Sequence, residues 1–355
     1  MLAARCSTSV RGTSQPSMMK KAVFNAFQAA SFLAGVGLFI YLLRQTGLAA
    51  LAHYLGTLGW GFIFILALSA IRNCARAGSW YFAIEPGHRT VTFWRLMNVM
   101  LAGEAIKYLT ATGPLLGEPA KAAMVRRQIP LLQGFSSVLV ENLIYYLTVF
   151  IFVFAGLLPL AWLAEVPENF KLASYILVGS IAVPVFIIWL AIRMRWYLLA
   201  RALEQLNRMI SRRRRRDTSR LESIASQVRV VEESLYTFYE RRYGAFYLIF
   251  WLNMGAHLIN VVEVYVILAF LTLPSSVLNG FLVEAVTKVI NLVFFFVPTR
   301  AGVYESGNAL LLQALGMSAA AGVALAIIRK LRAFVWVGYG LFVIGRLMLR
   351  QERKN

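Results

Sequence analysis

Acidic residues, cysteine and histidine are all scarce in this chain, and each scarcity removes a class of function. Asp and Glu number 16 against 36 Lys and Arg, which leaves a formal charge of +20. Two cysteines, Cys6 and Cys74, and three histidines are too few for a disulfide framework or a His/Cys metal cluster. No metal and no cofactor is therefore expected. Charge of either sign is thin: 15% of the residues carry one, where a soluble domain has roughly a quarter. Neither a P-loop, a dinucleotide fingerprint nor the spacing of a catalytic triad is present.

Hydrocarbon takes the place of charge. Hydrophobic residues make up 59% of the 355 positions and come in long blocks. A helix needs about 20 apolar residues to cross the ~30 Å hydrocarbon core of a bilayer. Six stretches satisfy this, at 22–43, 52–80, 131–163, 172–191, 243–273 and 318–349. A further run, 277–297, is apolar but carries Glu284 and Lys288. The expected fold is all-α: a polytopic transmembrane bundle of six full spans plus two re-entrant hairpins. The basic surplus then belongs to loops held against an anionic leaflet. Nucleic acid is not the expected partner, because the basic residues flank apolar spans and have no polar domain to sit on.

The loops give a consistent orientation. Lys20 and Lys21 place the N-terminus in the cytoplasm, and the next connection holds only Arg44 and His53. Arg89, Arg95, Arg126 and Arg127 return the chain to the basic side, and Glu165, Glu168 and Lys171 mark an outer loop. The stretch 193–242 is dense in arginine and is placed inside, the connection 271–279 is uncharged, and Arg346, Arg350, Arg353 and Lys354 bring the C-terminus inside. The expectation is a multi-pass protein of the cell inner membrane with both termini cytoplasmic.

Two segments do not read as simple spans. In 93–127, an apolar run is stopped at Thr112-Gly113-Pro114-Leu115-Leu116-Gly117-Glu118; in 277–316, another is stopped at Val297-Pro298-Thr299-Arg300-Ala301-Gly302-Val303-Tyr304-Glu305. If each enters the membrane partway and returns, the topology closes, with the first hairpin entering from the cytoplasm and the second from outside. The order span, span, hairpin, span then repeats upside down, a layout that puts a transporter's substrate site at the broken segments. The alternative lays 93–127 along the interface and lets 277–297 cross fully.

Charges gather at these same segments. A charge at bilayer depth costs roughly 2.5–3.5 kcal/mol on insertion scales, so it persists only when paired, hydrated or in use. The first segment holds Glu104, Lys107, Glu118 and Lys121, in two pairs three residues apart. The second holds Glu284 and Lys288, four apart, then Arg300 and Glu305. Glu141 and Glu263 sit within spans, and Arg329, Lys330 and Arg332 in the last one. One reading makes them ion pairs that hold the bundle together. The other gives Glu118, Arg300 and Glu305 to a polar headgroup, beside backbone unwound by Gly and Pro, with Arg300 as the fork for an oxyanion.

Two regions lie apart from the spans. The basic loop contains Arg212, Arg213, Arg214, Arg215 and Arg216, flanked by apolar residues at helical spacing, and is expected to rest on anionic headgroups. A docking surface for a cytoplasmic partner is its alternative. Residues 1–21 are read as a disordered N-terminal segment. It lacks an apolar core and so is no secretory signal; it either loosely resembles a transit peptide or precedes a true start at Met18 or Met19. The membrane domain is expected over 22–349, with a cytoplasmic tail at 350–355.

Two stretches carry a family resemblance. Gly117-Glu118-Pro119-Ala120-Lys121, then Arg126-Arg127-Gln128-Ile129-Pro130 and Val138-Leu139-Val140-Glu141-Asn142-Leu143, resemble a Gly-Glu-x-x-Arg segment and the glutamate helix after it. Pro298-Thr299-Arg300-Ala301-Gly302-Val303-Tyr304-Glu305, then Leu315-Gly316 and Arg329 to Arg332, resemble a Pro-Gly-Gly-x-Gly-x-x-Glu segment and an arginine-bearing last helix. Both are features of the flippase-like membrane region of lysylphosphatidylglycerol synthases and their stand-alone relatives. The likeness in length and hydropathy extends over nearly the whole chain after Lys21. Lys121 stands where arginine is usual, and Thr299-Arg300 replaces a Gly-Gly pair.

The resemblance implies movement of a lipid, or a lipid-linked polar group, between leaflets. Glu118, Lys121, Arg300 and Glu305 would line the site, with Glu141 as a partner behind them. The chain ends soon after its last span, so the synthase domain and lysyl transfer are not expected, and a transporter is expected rather than an enzyme. Its rivals are a membrane-embedded lipid-phosphate transferase and an accessory subunit that recruits a biosynthetic enzyme through the arginine run.

Overall fold

The computed structural model describes residues 56–110, 114–162, 219–294 and 302–352, with scattered positions between 190 and 209. The expected spans at 22–43 and 172–191, segment 1–21 and the arginine run 212–216 lie outside the described residues. Everything regular within them is helical, with no strand. The helices are α1 (Gly61–Ala83), α2 (Phe93–Leu109), α3 (Pro114–Val125), α4 (Leu131–Trp162), α5 (Ser219–Arg241), α6 (Tyr243–Phe270), α7 (Val277–Val293), α8 (Val303–Ala314) and α9 (Ala319–Glu352). By length and composition, three are apolar enough to cross a membrane: α1, α4 over Leu131–Gly156, and α6. The longest helix, α9, falls outside that group, and it carries Arg329, Lys330 and Arg332 near its middle.

Helix ends follow local chemistry. Pro86 begins a single 3-10 turn after α1. Beyond it, Arg89 donates to the carbonyls of Ile84 and Phe82, and Arg242 reaches back from the start of α6 to those of Phe82 and Ala83. Two cations thus satisfy carbonyls that a helix C-terminus leaves open. Ser276 caps α7 by accepting from the Asn279 N–H. Gly302 precedes α8 at φ +82°, a conformation that favours glycine, and Glu305 accepts its N–H.

One expectation changes here. The sequence puts the break in the first broken segment at 112–118, but α2 stops at Leu109, extended Thr110 follows, and α3 is already helical from Pro114. Gly117, Glu118 and Pro119 therefore lie on a helix. Pro119 is tolerated because it falls in the second turn, where the only intrahelical bond lost is that to Leu115.

The packing has an exchange pattern. α1 lies antiparallel against α6: Gly61 meets Phe270, Arg72 meets Asn260 and Gly78 meets Leu252. α2 packs on α9, and α7 packs on α4. The pairs α1–α2, α2–α3 and α3–α4 recur as α6–α7, α7–α8 and α8–α9. α2 and α7 have 17 residues each, and α3 and α8 have 12 each. Even the close approaches correspond, since Gly340 of α9 sits against Leu101 and Ala105 of α2, and Gly156 of α4 against Ala285 of α7. Lipid supplies no hydrophobic drive between helices, so small residues that let backbones approach take over that role.

Two apolar cores occupy opposite ends of α1. One joins Ile65 to Val264, Ile267 and Leu268 of α6 and to Leu312, Leu325 and Ile328. The other joins Ala77 and Trp80 to Leu96, Met100, Val125 and Val138. Trp80 is buried there and donates its indole N–H to Ser137.

Gly340→Leu is expected to destabilise the bundle by about 1–3 kcal/mol through overpacking, read as a lower melting temperature in detergent. Nothing lies within 4 Å of a Cβ at Gly255, so Gly255→Ala should leave the melting temperature unchanged or raise it slightly.

Candidate functional site

The bundle is polar inside and apolar outside. On α6, Asn253, His257, Asn260 and Glu263 recur at helical spacing and are each at most 4% exposed, while Trp251 is 65%, Leu258 51% and Val262 46% exposed. On α1, Ser69 and Asn73 are buried and Arg76 lies one turn on, while Ile63, Phe64 and Ile71 face out. In water this arrangement would waste the apolar surface; in lipid it is what an embedded bundle requires.

Ion pairs gather on this polar inside. In the first half, Lys107 and Lys121 each contact both Glu104 and Glu118, at 3.0 Å, 3.0 Å, 3.4 Å and 2.9 Å. Two carboxylates and two ammoniums thus form a closed square across α2 and α3. Gly103 and Gly117 make the square possible: a Cβ at Gly103 would strike the Lys121 stem, and one at Gly117 the Lys107 stem. Asn142 of α4 donates to Glu118 at 2.8 Å. Next to it on α4, Glu141 meets Arg76 of α1 at 3.0 Å, and the Arg76 guanidinium lies 3.9 Å from the Tyr145 ring centroid.

The second half has its own network, drawn from α6, α7, α8 and α9. Glu284 accepts from Lys288 at 2.9 Å and Asn260 at 3.0 Å, and also binds Arg329. Glu263 pairs with Arg332 and lies 3.5 Å from Arg329 Nε. Lys330 pairs with Glu305. Among the described residues, three interior carboxylates here face four cations, and three also face four in the first half once Arg72 of α1 is counted with Arg76, Lys107 and Lys121.

Between these networks lie two adjoining cavities. The larger, about 220 Å³, is bounded by Arg72, Asn73, Arg76, Glu104, His257, Asn260, Lys288 and Arg332, with Tyr108, Tyr145 and Trp336. The smaller, about 160 Å³, is bounded by Arg72, Asn260, Glu284, Lys288, Tyr304, Arg329, Lys330 and Arg332. His257 contacts Thr148 Oγ1 at 3.2 Å, and the Thr148 hydroxyl donates to the Tyr145 carbonyl. A hydroxyl has one proton to give, so His257 Nε2 is the donor in that contact.

The residues singled out from sequence are distributed around this centre. Glu118 and Lys121 meet in the lysine–glutamate square, Glu141 meets Arg76, and Glu305 lies in the other half against Lys330. None of these four borders either cavity; each joins an ion pair at or behind a wall. Arg300 lies outside the described residues. The wall residues Arg72, Arg76, His257 and Asn260 escape a sequence reading because they fall inside runs that look like ordinary spans. A signal is present: Arg72-Asn73 and Arg76 interrupt one span, and Asn253, His257 and Asn260 share one face of another.

Arg76→Ala should leave Glu141 buried without its partner and destabilise the protein by about 3–5 kcal/mol. Thermal unfolding in detergent checks this, and Arg76→Ala combined with Glu141→Ala should recover part of the loss.

Residues 28–340 match the family described as the lysylphosphatidylglycerol synthase TM region. No curated protein and no solved structure matches the chain. The family match takes in all the helices described except the last part of α9, together with the lysine–glutamate square, the second half's ion-pair network and both cavities. The chain belongs to the lysylphosphatidylglycerol synthase TM region family, and is an all-helical, multi-pass membrane protein.

Proposed function

We propose that this protein moves a lipid or lipid-linked polar group between leaflets, the headgroup passing through the central cavities while the tail stays in the bilayer. The observation that carries this is a charge-lined hollow between two antiparallel, corresponding helices of a bundle with apolar outer faces. A structural bundle needs paired charges but no space between them.

The exchange pattern supports an inverted repeat, because corresponding helices that pack antiparallel are what such a repeat produces. Helix lengths support re-entrance. At 1.5 Å per residue, 17 residues reach roughly 25 Å and 12 residues roughly 18 Å, both short of the ~30 Å hydrocarbon core. The pairs α2–α3 and α7–α8 thus suit hairpins that enter and return. Charge placement favours cytoplasmic termini in the inner membrane, with the 212–216 run on anionic headgroups. Transport rather than catalysis is favoured because the carboxylates at the cavities already serve as counter-ions.

Reconstitution into liposomes with fluorescent phospholipids or polyprenyl phosphates tests the proposal. Ala333 borders both cavities, so Ala333→Phe should slow exchange between leaflets by roughly tenfold or more while the protein stays folded. An unchanged rate would exclude these cavities as the route. In a Cys6→Ser, Cys74→Ser background, Leu115→Cys at the start of α3 should react with a lipid-soluble maleimide and resist a membrane-impermeant one from both sides. Rapid reaction with the impermeant reagent would place the turn in bulk water and remove the hairpin.

A further inference from the structure

The cavities carry more positive charge than the described carboxylates neutralise, and part of the surplus has an address. Arg72 has no carboxylate within 4 Å among the described residues, unlike Arg76, Lys288, Arg329, Lys330 and Arg332. Among the described residues its guanidinium donates to amide oxygens alone: Nε and Nη2 to Asn73 Oδ1 at 3.3 Å and 2.9 Å, and Nη1 to Asn260 Oδ1 at 3.3 Å. Asn260 is held in that orientation because its own NH₂ is given to Glu284 at 3.0 Å. Arg72 is thereby fixed in the wall shared by both cavities, with part of its donor fork unused.

A second observation is independent of charge. The side chains that border the two cavities include four buried polar atoms with no hydrogen-bond partner: Asn73 Nδ2, Arg76 Nε, Arg329 Nε and Arg332 Nε. All four are donors. Asn73 is deeply buried, its exposure being 5%. Arg329 Nε has Glu263 Oε1 at 3.5 Å and Arg76 has Glu141, whereas Asn73 Nδ2, on the residue that holds the Arg72 fork, has no acceptor. Beside a guanidinium with no carboxylate in contact, it leaves a place for an acceptor that bears negative charge.

We propose that the central cavities form an oxyanion site with Arg72 as its principal ligand, so that the cargo is a phosphate-bearing group without a compensating ammonium. This rests on the transport reading for its meaning but not for its test. Arginine suits such a site because it stays charged when desolvated and grips two oxygens of one phosphate. Anionic lipid phosphate and free inorganic phosphate share this chemistry, and the experiment separates them.

The experiment is equilibrium binding to the full-length protein in a neutral detergent, read by native mass spectrometry. The probes are phosphatidylglycerol, phosphatidylcholine of matched chains, and inorganic phosphate. The wild type should hold phosphatidylglycerol roughly tenfold or more tighter than phosphatidylcholine. Arg72→Gln should bring the two lipids to near equality, and Arg72→Lys should keep part of the preference, having the charge without the fork. Displacement of phosphatidylglycerol by equimolar phosphate would support the oxyanion site and assign it to the free ion. Equal retention of both lipids by the wild type overturns the proposal, whether or not Arg72→Gln folds, as does an undiminished preference in a folded Arg72→Gln. A protein that binds by charge yet moves no lipid would sink the transport reading alone, and one that moves lipids with no charge preference would sink this inference alone.

Discussion

A charge inside hydrocarbon must find its counter-charge within the protein, and that requirement organises this bundle. Three of its buried pairs join different helices: Glu141 to Arg76 ties α4 to α1, Glu284 to Arg329 ties α7 to α9, and Glu263 to Arg332 ties α6 to α9. The lysine–glutamate square ties α2 to α3. Such pairs add little net stability over a well-packed apolar alternative, since desolvation consumes most of the attraction. Their effect lies in register. Sliding one helix past its neighbour by a turn would strand a carboxylate opposite a side chain that cannot answer it. Glycines at Gly103, Gly117, Gly156 and Gly340 then allow the close approach that brings the pairs into reach.

The helical membrane class is legible in the sequence because hydropathy is a property of short windows. The pairs three residues apart, Glu104 with Lys107 and Glu118 with Lys121, form as their spacing implies. What spacing cannot supply is that the same four groups also pair across two helices. Glu118 shows the limit of reading Gly and Pro as breaks: Pro119 falls early enough in α3 to continue a helix, so the glutamate sits on a helical face. Arg72 and Arg76 escape notice for the opposite reason. Averaging over a span hides two cations among their apolar neighbours, and only tertiary contact with Asn260 and Glu141 gives them meaning.

The family resemblance is also written in local residues. The segment from Gly117 to Asn142 and the arginine-bearing part of α9 are both within the matched region, and the departure at Lys121 has a physical reading. Lys121 is 2% exposed and its stem crosses the space above Gly103, where the ammonium reaches Glu104 and Glu118 together. A planar guanidinium is a larger group with directional donors. Lysine at this position therefore suits a compact square of four charges with little room to spare.

The halves correspond in helix length, packing partners and close approaches, yet differ in how their charges are held. The square of the first half is closed, with each lysine answered by two carboxylates, and that half's surplus cation is Arg72 of α1 in the cavity wall, whereas in the second half three carboxylates are shared among four cations. A protein that alternates between two arrangements needs them close in free energy, and a ligand shifts the balance only by binding one better than the other. Under the transport reading, the neutral square can part and re-form with no charge left behind. The cavity wall cannot lose its anion as readily, because Arg72 and the surplus of the second half would then face low dielectric unanswered. The asymmetry would couple rearrangement to occupancy: an empty cavity resists the movement that an anionic headgroup permits.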